Sequence, residues 1–224
     1  KNNSVDLKST LQSMTGVIAH RGPDGEGFWT DESLGIAFGH RRLAIQDLSP
    51  AGFQPMESAS KRYVICFNGE VYNGDDLKNE LPSQAYRGHS DTEVMLAAIE
   101  TWGLEKAVSK FIGMFAFALY DRQNKTLSLV RDRVGVKPLY WGIENNTLLF
   151  GSELKSLKAY PHFKGTLNLQ GLGYFFQMNY IPAPHTIYQG IFKQTPGTIL
   201  TFDQDLSHKS QTYWSLDESI TRGQ

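Results

Sequence analysis

Arg42, the pair Asn68-Gly69, and Asp91 are among the residues of this chain whose types could handle a small charged molecule. A guanidinium grips a carboxylate through two parallel hydrogen bonds, so Arg42 is a candidate anion clamp. Asp91 is a candidate partner for an ammonium. Asn68-Gly69 offers a side-chain amide N–H and a backbone N–H, a neutral donor pair able to steady a carbonyl oxygen as it gains charge. Each also has a plainer reading. Arg42 beside Arg41 could be a solvated surface arginine, and Asp91 just after Ser90 would stabilise a helix start without any ligand. Asn-Gly is a common hairpin turn, although the residues after Gly69 read as a loop entering a helix rather than a returning strand. Cys66, the single cysteine, shares strand parity with Asn68 but sits among Val64, Ile65 and Phe67, as an inert buried thiol would. His20 and Arg21 read as braces of a loop.

The elements that must hold these groups follow from periodicity. Leu7, Leu11, Met14 and Ile18 recur at helical spacing. Gly27 to Trp29 and Leu34 to Gly39 read as strands around the Asp31-Glu32-Ser33 turn, and Tyr63 to Phe67 as a strand ending at Asn68-Gly69-Glu70. Asn73 precedes an acid-led helix, and Ser90-Asp91-Thr92-Glu93 has the spacing of a capping box ahead of a helix stopped by Gly103. Met114 to Tyr120 with Thr126 to Val130, and Leu139 to Ile143 with Thr147 to Phe150, read as hairpins. Glu153 to Ala159 and Asn168 to Gln177 read as helices and Thr198 to Phe202 as a last strand, with a polar tail after Asp203. Helices interleaved with antiparallel hairpins give an α+β chain, its stacked sheets lying between helical layers.

Composition narrows the function classes. The 224 residues are 40% hydrophobic and 20% charged, with 22 basic and 23 acidic side chains. No basic excess suggests nucleic acid as a partner. No apolar run approaches the ~20 residues that span a bilayer, and the first ten residues lack the apolar core of a signal peptide. One cysteine and six scattered histidines leave no metal site to expect.

Seven segments in order carry a resemblance: His20-Arg21-Gly22-Pro23-Asp24, Gly39 to Ile45, Asn68 to Asn73, Ser90 to Glu93, Gly113 to Asp121, Arg131 to Tyr140 around Lys137-Pro138, and Ser152 to Lys155. From about His20 to Gly197 they resemble class II glutamine amidotransferase domains, specifically those of asparagine synthetases. The resemblance implies a four-layer αββα sandwich of the N-terminal-nucleophile hydrolase type. Residues 1–203 would be the amidotransferase domain lacking its first strand, and 204–224 a linker toward an absent ATP-dependent synthetase domain. L-glutamine would be the substrate, its carboxylate on Arg42, its ammonium on Asp91 and Glu70, with Ile45 and the stretch through Gln46 lining the pocket and Asn68 and Gly69 forming the oxyanion hole. The family's nucleophile is an N-terminal cysteine on a Cys-Gly-Ile-like strand, roughly ten residues upstream of Lys1 on the family pattern. The chain by itself is therefore expected to be inactive. No cofactor is expected in this domain; ATP and Mg are implied for the synthetase domain alone. A cytoplasmic location and a homodimer are compatible with the resemblance. Two other outcomes are a silent, repurposed module and an acceptor other than aspartate, such as a sugar phosphate or surface-polysaccharide precursor.

Overall fold

A computed structural model describes residues 6–83 and 85–223. The first five residues, which bear on the signal-peptide expectation, and the last residue of the expected linker lie outside the described part. The order is α1 (Leu7–Gly16), β1 (Gly25–Asp31), β2 (Ile36–Arg42), β3 (Met56–Glu57), β4 (Tyr63–Val71), α2 (Gly74–Glu80), α3 (Asp91–Trp102), α4 (Leu104–Lys110), β5 (Gly113–Asp121), β6 (Thr126–Arg131), β7 (Tyr140–Glu144), β8 (Thr147–Gly151), α5 (Leu154–Lys158), α6 (Leu169–Met178), β9 (Ile191–Lys193), β10 (Thr198–Phe202), β11 (His208–Thr212) and α7 (Leu216–Arg222). Among the described residues the strands form three antiparallel sheets, ordered β1-β2, β8-β7-β9 and β11-β10-β6-β5-β4-β3.

Strand alternation builds the layers. On β5, Phe115, Phe117 and Leu119 face the helices α2 to α4, joining Leu77, Met95, Ile99 and Val108 in one core. Ala116, Ala118 and Tyr120 face the other way, into a second core with Phe38 of β2, Val64 of β4, Trp141 of β7 and Phe150 of β8. A third core puts Leu149 and Ile191 against Leu157 of α5 and Met14 of α1. Helix, sheet, sheet, helix is the result: the αββα sandwich. Burying one such large side chain contributes ~1.5–3 kcal/mol, so the two faces of β5 are the energetic centre of the fold.

Both hairpins form as their alternation predicts, the second turning on Asn145 and Asn146, each at positive φ. Three elements differ from expectation. β4 does not stop at Phe67 but runs through Asn68, Gly69 and Glu70 to Val71, paired with β5 along its length. Asn73 leads α2 but spends its side chain on Lys110 O (3.0 Å) and Ile112 N (2.9 Å) rather than on a cap. The polar stretch after Asp203, expected to run on as linker, begins with β11, which pairs with β10 from Thr198 to Phe202 and forms an edge of the large sheet.

The Arg131-Asp132 segment is a structural knot. Asp132 is fully buried, and its carboxylate accepts the N–H groups of Phe115 (3.2 Å), Val134 (3.2 Å), Val136 (2.9 Å) and Lys137 (2.9 Å). The Arg131 guanidinium donates to the carbonyls of Lys137 (2.8 Å), Gln194 (2.6 Å) and Gly135 (2.7 Å). Together they tie the 133–137 loop to β5 and to the approach of β10.

Candidate active site

β2 presents Phe38, His40 and Arg42 on one face by period-two alternation, apolar at one end and basic at the other. Arg42 is 6% exposed, so it is not the solvated arginine that composition allows. Its neighbour Arg41 points elsewhere, pairing with Glu26 (2.9 Å) and donating to Thr15 O (3.2 Å). Arg42 stacks over the Phe53 ring, 4.5 Å from its centroid, and its Nη2 donates to Asp47 O and to Ser49 O (3.0 Å). Among the described residues Nη2 alone is engaged, which leaves the remaining guanidinium N–H groups for an anion.

The loop that Arg42 holds is laced to the approach of α3. Asp47 accepts Ser49 N–H (2.8 Å) through one oxygen and His89 N–H (2.8 Å) through the other. Hydrogen bonds from Ser49 and then from His89 hold its carboxyl down to about 2. A Cβ on Gly88 would run into the Asp47 carboxylate, so Gly88 is there for close approach.

Beyond its short pairing with β3 at Val64 and Ile65, the outer edge of β4 carries the donors. Phe67 N–H reaches Gln54 Oε1 (2.6 Å), and Val71 N–H reaches Asp91 Oδ2 (2.9 Å). Alternation aims Gly69 N–H to the same edge, between them. Across the ladder, Phe115 turns its own N–H and C=O to Asp132 and away from Gly69. Gly69 has φ +153, and a Cβ there would overlap the Met114 carbonyl. The Asn-Gly pair is thus a glycine-thinned strand and not a turn. Asn68 shares the face of Val64 and Cys66, with Nδ2 a long 3.5 Å from Ser152 Oγ.

Gln46 joins the acidic groups: its Nε2 donates to Glu70 Oε1 (2.8 Å) and its Oε1 accepts Asp91 N–H (3.3 Å). Burial pushes the Asp91 carboxyl above its ordinary value, and the nearby Glu70 charge adds to the rise. An incoming cation would relieve both. The expected capping box does not form. Among the described residues Ser90 makes no side-chain cap and its Oγ is buried without a partner, while the Glu93 carboxylate, the other half of the box, is drawn to Arg87 N (2.9 Å), Gly88 N (3.0 Å) and Arg87 Nε (3.0 Å). Ile45 stands 70% exposed on the loop between Arg42 and Gln46, and Asp24 holds that loop through Ala44 N–H (2.9 Å).

A cavity of about 250 Å³ adjoins Asn68. It lies between the unpaired edges of β2 and β8, under α1, with Cys66, Asn68, Ala116 and Ala118 among its walls. Cys66 donates to Gly39 O (3.5 Å), and burial pushes its thiol up to about 12, so it stays protonated at neutral pH. At the rim, His20 (3.1 Å), Arg21 (3.1 Å) and Lys155 (3.0 Å) surround Glu153. Burial opposes its charge, but Lys155, Arg21 and His20 outweigh that and hold its carboxyl near 2. The bracing role read from the sequence fits this cluster.

Sequence reasoning missed Asp47, Gln54 and Ser152. Asp47-Leu48-Ser49 has the spacing of an Asx turn and could have been found; the other two act only through distant partners. Among the described residues no group of side chains has the makings of a metal site, and no helix is long and apolar enough to cross a membrane.

A family model described as a glutamine amidotransferase domain matches residues 1–214. The chain is 38% identical to asparagine synthetase [glutamine-hydrolyzing] 3 of Bacillus subtilis, over 97% of this chain and 35% of that protein. It is 34% identical to putative asparagine synthetase [glutamine-hydrolyzing] 2 of Methanocaldococcus jannaschii, over 95% of this chain and 44% of that one. It therefore spans less than half the length of these relatives. Among solved structures, the glutamine phosphoribosylpyrophosphate amidotransferase of B. subtilis superposes with a TM-score of 0.67 at 18% identity, covering 92% of this chain and 46% of that one.

Proposed function

The chain belongs to the glutamine amidotransferase family, and from that premise we propose that it binds L-glutamine along the outer edge of β4 and releases the side-chain nitrogen as ammonia. The observation that carries this is the ring of linked groups at that edge: Arg42 tied to the 47–49 loop, that loop to His89, and Asp91 to Gln46 and Glu70, with the Gly69 N–H between. Arg42 takes the substrate carboxylate, while Asp91 and Glu70 take the ammonium. Asn68 Nδ2–H and Gly69 N–H receive the oxygen of the side-chain amide as it becomes an alkoxide. Ile45 closes over the site from its loop.

The nucleophile in this proposal is a thiol on an N-terminal strand lying in the cavity between β2 and β8, where two strand edges and Asn68 meet. An α-amine of pKa ~8 beside that thiol accepts its proton. The thiolate adds to the amide carbon, ammonia leaves with the returned proton, and water cleaves the thioester to glutamate. The chain of 224 residues alone should not hydrolyse glutamine. Fusing a Cys-Gly-Ile-type strand of about ten residues ahead of Lys1 should confer hydrolysis, read as glutamate release. In that fused protein Arg42→Ala should raise KM about 10- to 100-fold, the worth of ~1.5–3 kcal/mol for a charged hydrogen bond. Hydrolysis indifferent to that substitution would sink the pocket assignment.

Asp91 gives a pH test. Its folded-state pKa is raised, so it is protonated at higher pH than an ordinary aspartate, and the ammonium of the ligand needs the ionised form. Glutamine affinity should hold at neutral pH and fall as pH drops through a value above 3.8. Asp91→Asn should bind weakly with no such dependence, yet lose no thermal stability at pH 7, because the buried charge it removes is a cost there. Calorimetric titration from pH 7 down to pH 3.8 checks the affinities and thermal melting at pH 7 the stability; a wild-type affinity flat across that whole range contradicts the role.

We further propose a synthetase domain as the consumer of the ammonia, on the strength of the relatives' names, with aspartate as acceptor and ATP and Mg as its requirements, as the resemblance read from the sequence implies.

A further inference from the structure

His40 stands between the two halves of the site, on β2 two residues before Arg42 and on the same face. One ring nitrogen, Nε2, lies 3.0 Å from the carbonyl of Phe67, the residue immediately ahead of Asn68. A carbonyl only accepts, so Nε2 carries the proton and donates. Burial, followed by the Arg42 charge, pushes the imidazole down to about 4, so the ring is neutral and Nδ1 is a bare acceptor. Among the described residues that Nδ1 is buried without a partner, and His40 is part of the cavity wall.

Both polar groups of Phe67 are thus held by side chains: its N–H by Gln54 Oε1 (2.6 Å) and its C=O by His40. Among the described residues no strand lies along that stretch of β4 to do the same. The Phe67 carbonyl shares a rigid peptide plane with the Asn68 N–H, so fixing it fixes the backbone from which the Asn68 side chain and the Gly69 N–H are aimed.

We propose that His40 is a positioning residue for the oxyanion donors: its Nε2–H pins the Phe67 carbonyl and thereby holds Asn68 and Gly69 in line, while its Nδ1 accepts a hydrogen bond from an N–H or O–H of the strand seated in the cavity. This rests on the glutaminase reading and adds a residue to it.

The test uses the Cys-first fusion and three variants. Glutamine places an amide N–H where Nε2 stood, whereas asparagine reaches only the Nδ1 position. His40→Ala and His40→Asn should lower kcat for glutamine hydrolysis about tenfold with KM within about twofold. His40→Gln should recover kcat to within about threefold, the remainder reflecting the lost Nδ1 acceptor. A His40→Asn protein as active as His40→Gln, or kcat and KM moving together in all three, overturns the proposal. Nitrogen NMR of the histidine-labelled 224-residue chain reads the same claim without any activity. A protonated Nε2 with a bare Nδ1 supports it, and an Nδ1-protonated ring overturns it. Should the parent fusion itself hydrolyse nothing, the glutaminase reading fails and the NMR result still decides the tautomer.

Discussion

Replacing Asn68 with alanine in the Cys-first protein should lower kcat for glutamine hydrolysis about 10²- to 10³-fold and leave KM little changed. Losing one donor to a developing oxyanion costs ~3–4 kcal/mol of transition-state stabilisation, because the donor meets full charge only after attack. In the structure Asn68 is free for that task. Its Nδ2 makes only a 3.5 Å contact to Ser152 Oγ, at the long limit of a hydrogen bond, so it gives up little on turning to a substrate oxygen. The second donor, Gly69 N–H, survives the substitution, which keeps the expected loss well short of complete. Single-turnover measurement of acyl-enzyme formation checks this. A loss expressed in KM with kcat preserved would assign Asn68 to ground-state binding and remove the oxyanion hole from the mechanism.

The largest expected effect on stability lies away from the site. Asp132→Ala should cost ~3–5 kcal/mol, because it strands four backbone N–H groups and leaves the buried Arg131 without its neighbouring charge. Asp132→Asn should cost less but still measurably, since an amide keeps a single accepting oxygen where the carboxylate uses both. Urea denaturation gives the comparison. An Asp132→Ala protein as stable as the parent would mean that the 133–137 loop finds its hydrogen bonds elsewhere.

A loss of that size would also explain why the Arg131-Asp132 segment is as visible in the sequence as the site itself. Motifs mark residues with many obligations, and a carboxylate satisfying four amides has as many as a catalytic group. What was legible in this chain follows the same logic. The hairpins could be read because alternation and turn residues act locally, as at Asn145-Asn146. β11, composed of His208, Lys209, Ser210, Gln211 and Thr212 and exposed throughout, has no apolar face to betray it; only pairing with β10 makes it a strand.

At the site the local signals misled for a physical reason. Asn68-Gly69 carries the composition of a turn, yet its glycine answers to the Met114 carbonyl across the ladder. Ser90 to Glu93 carries the spacing of a capping box, yet Glu93 is drawn by Arg87 and Gly88, which come before the helix. In both places a tertiary contact outbid a local one. Arg42, Glu70 and Asp91 could be nominated from motifs, but Gln46 as the strut between the two acids, Gln54 as the holder of Phe67, and the cavity beside Asn68 exist only once distant strands meet.

β5 divides its bulk unevenly: Phe115 and Phe117 stand against the helices, while on the other face Ala116 and Ala118 stand beside the cavity with Tyr120 beyond them. The two sides answer to different kinds of selection. Shrinking either phenylalanine would be punished at once by a weaker fold, whereas a larger side chain at either alanine would reach toward the cavity. Side-chain size at 116 and 118 therefore sets how much room that cavity keeps, in addition to whatever it does to the packing of the sheet.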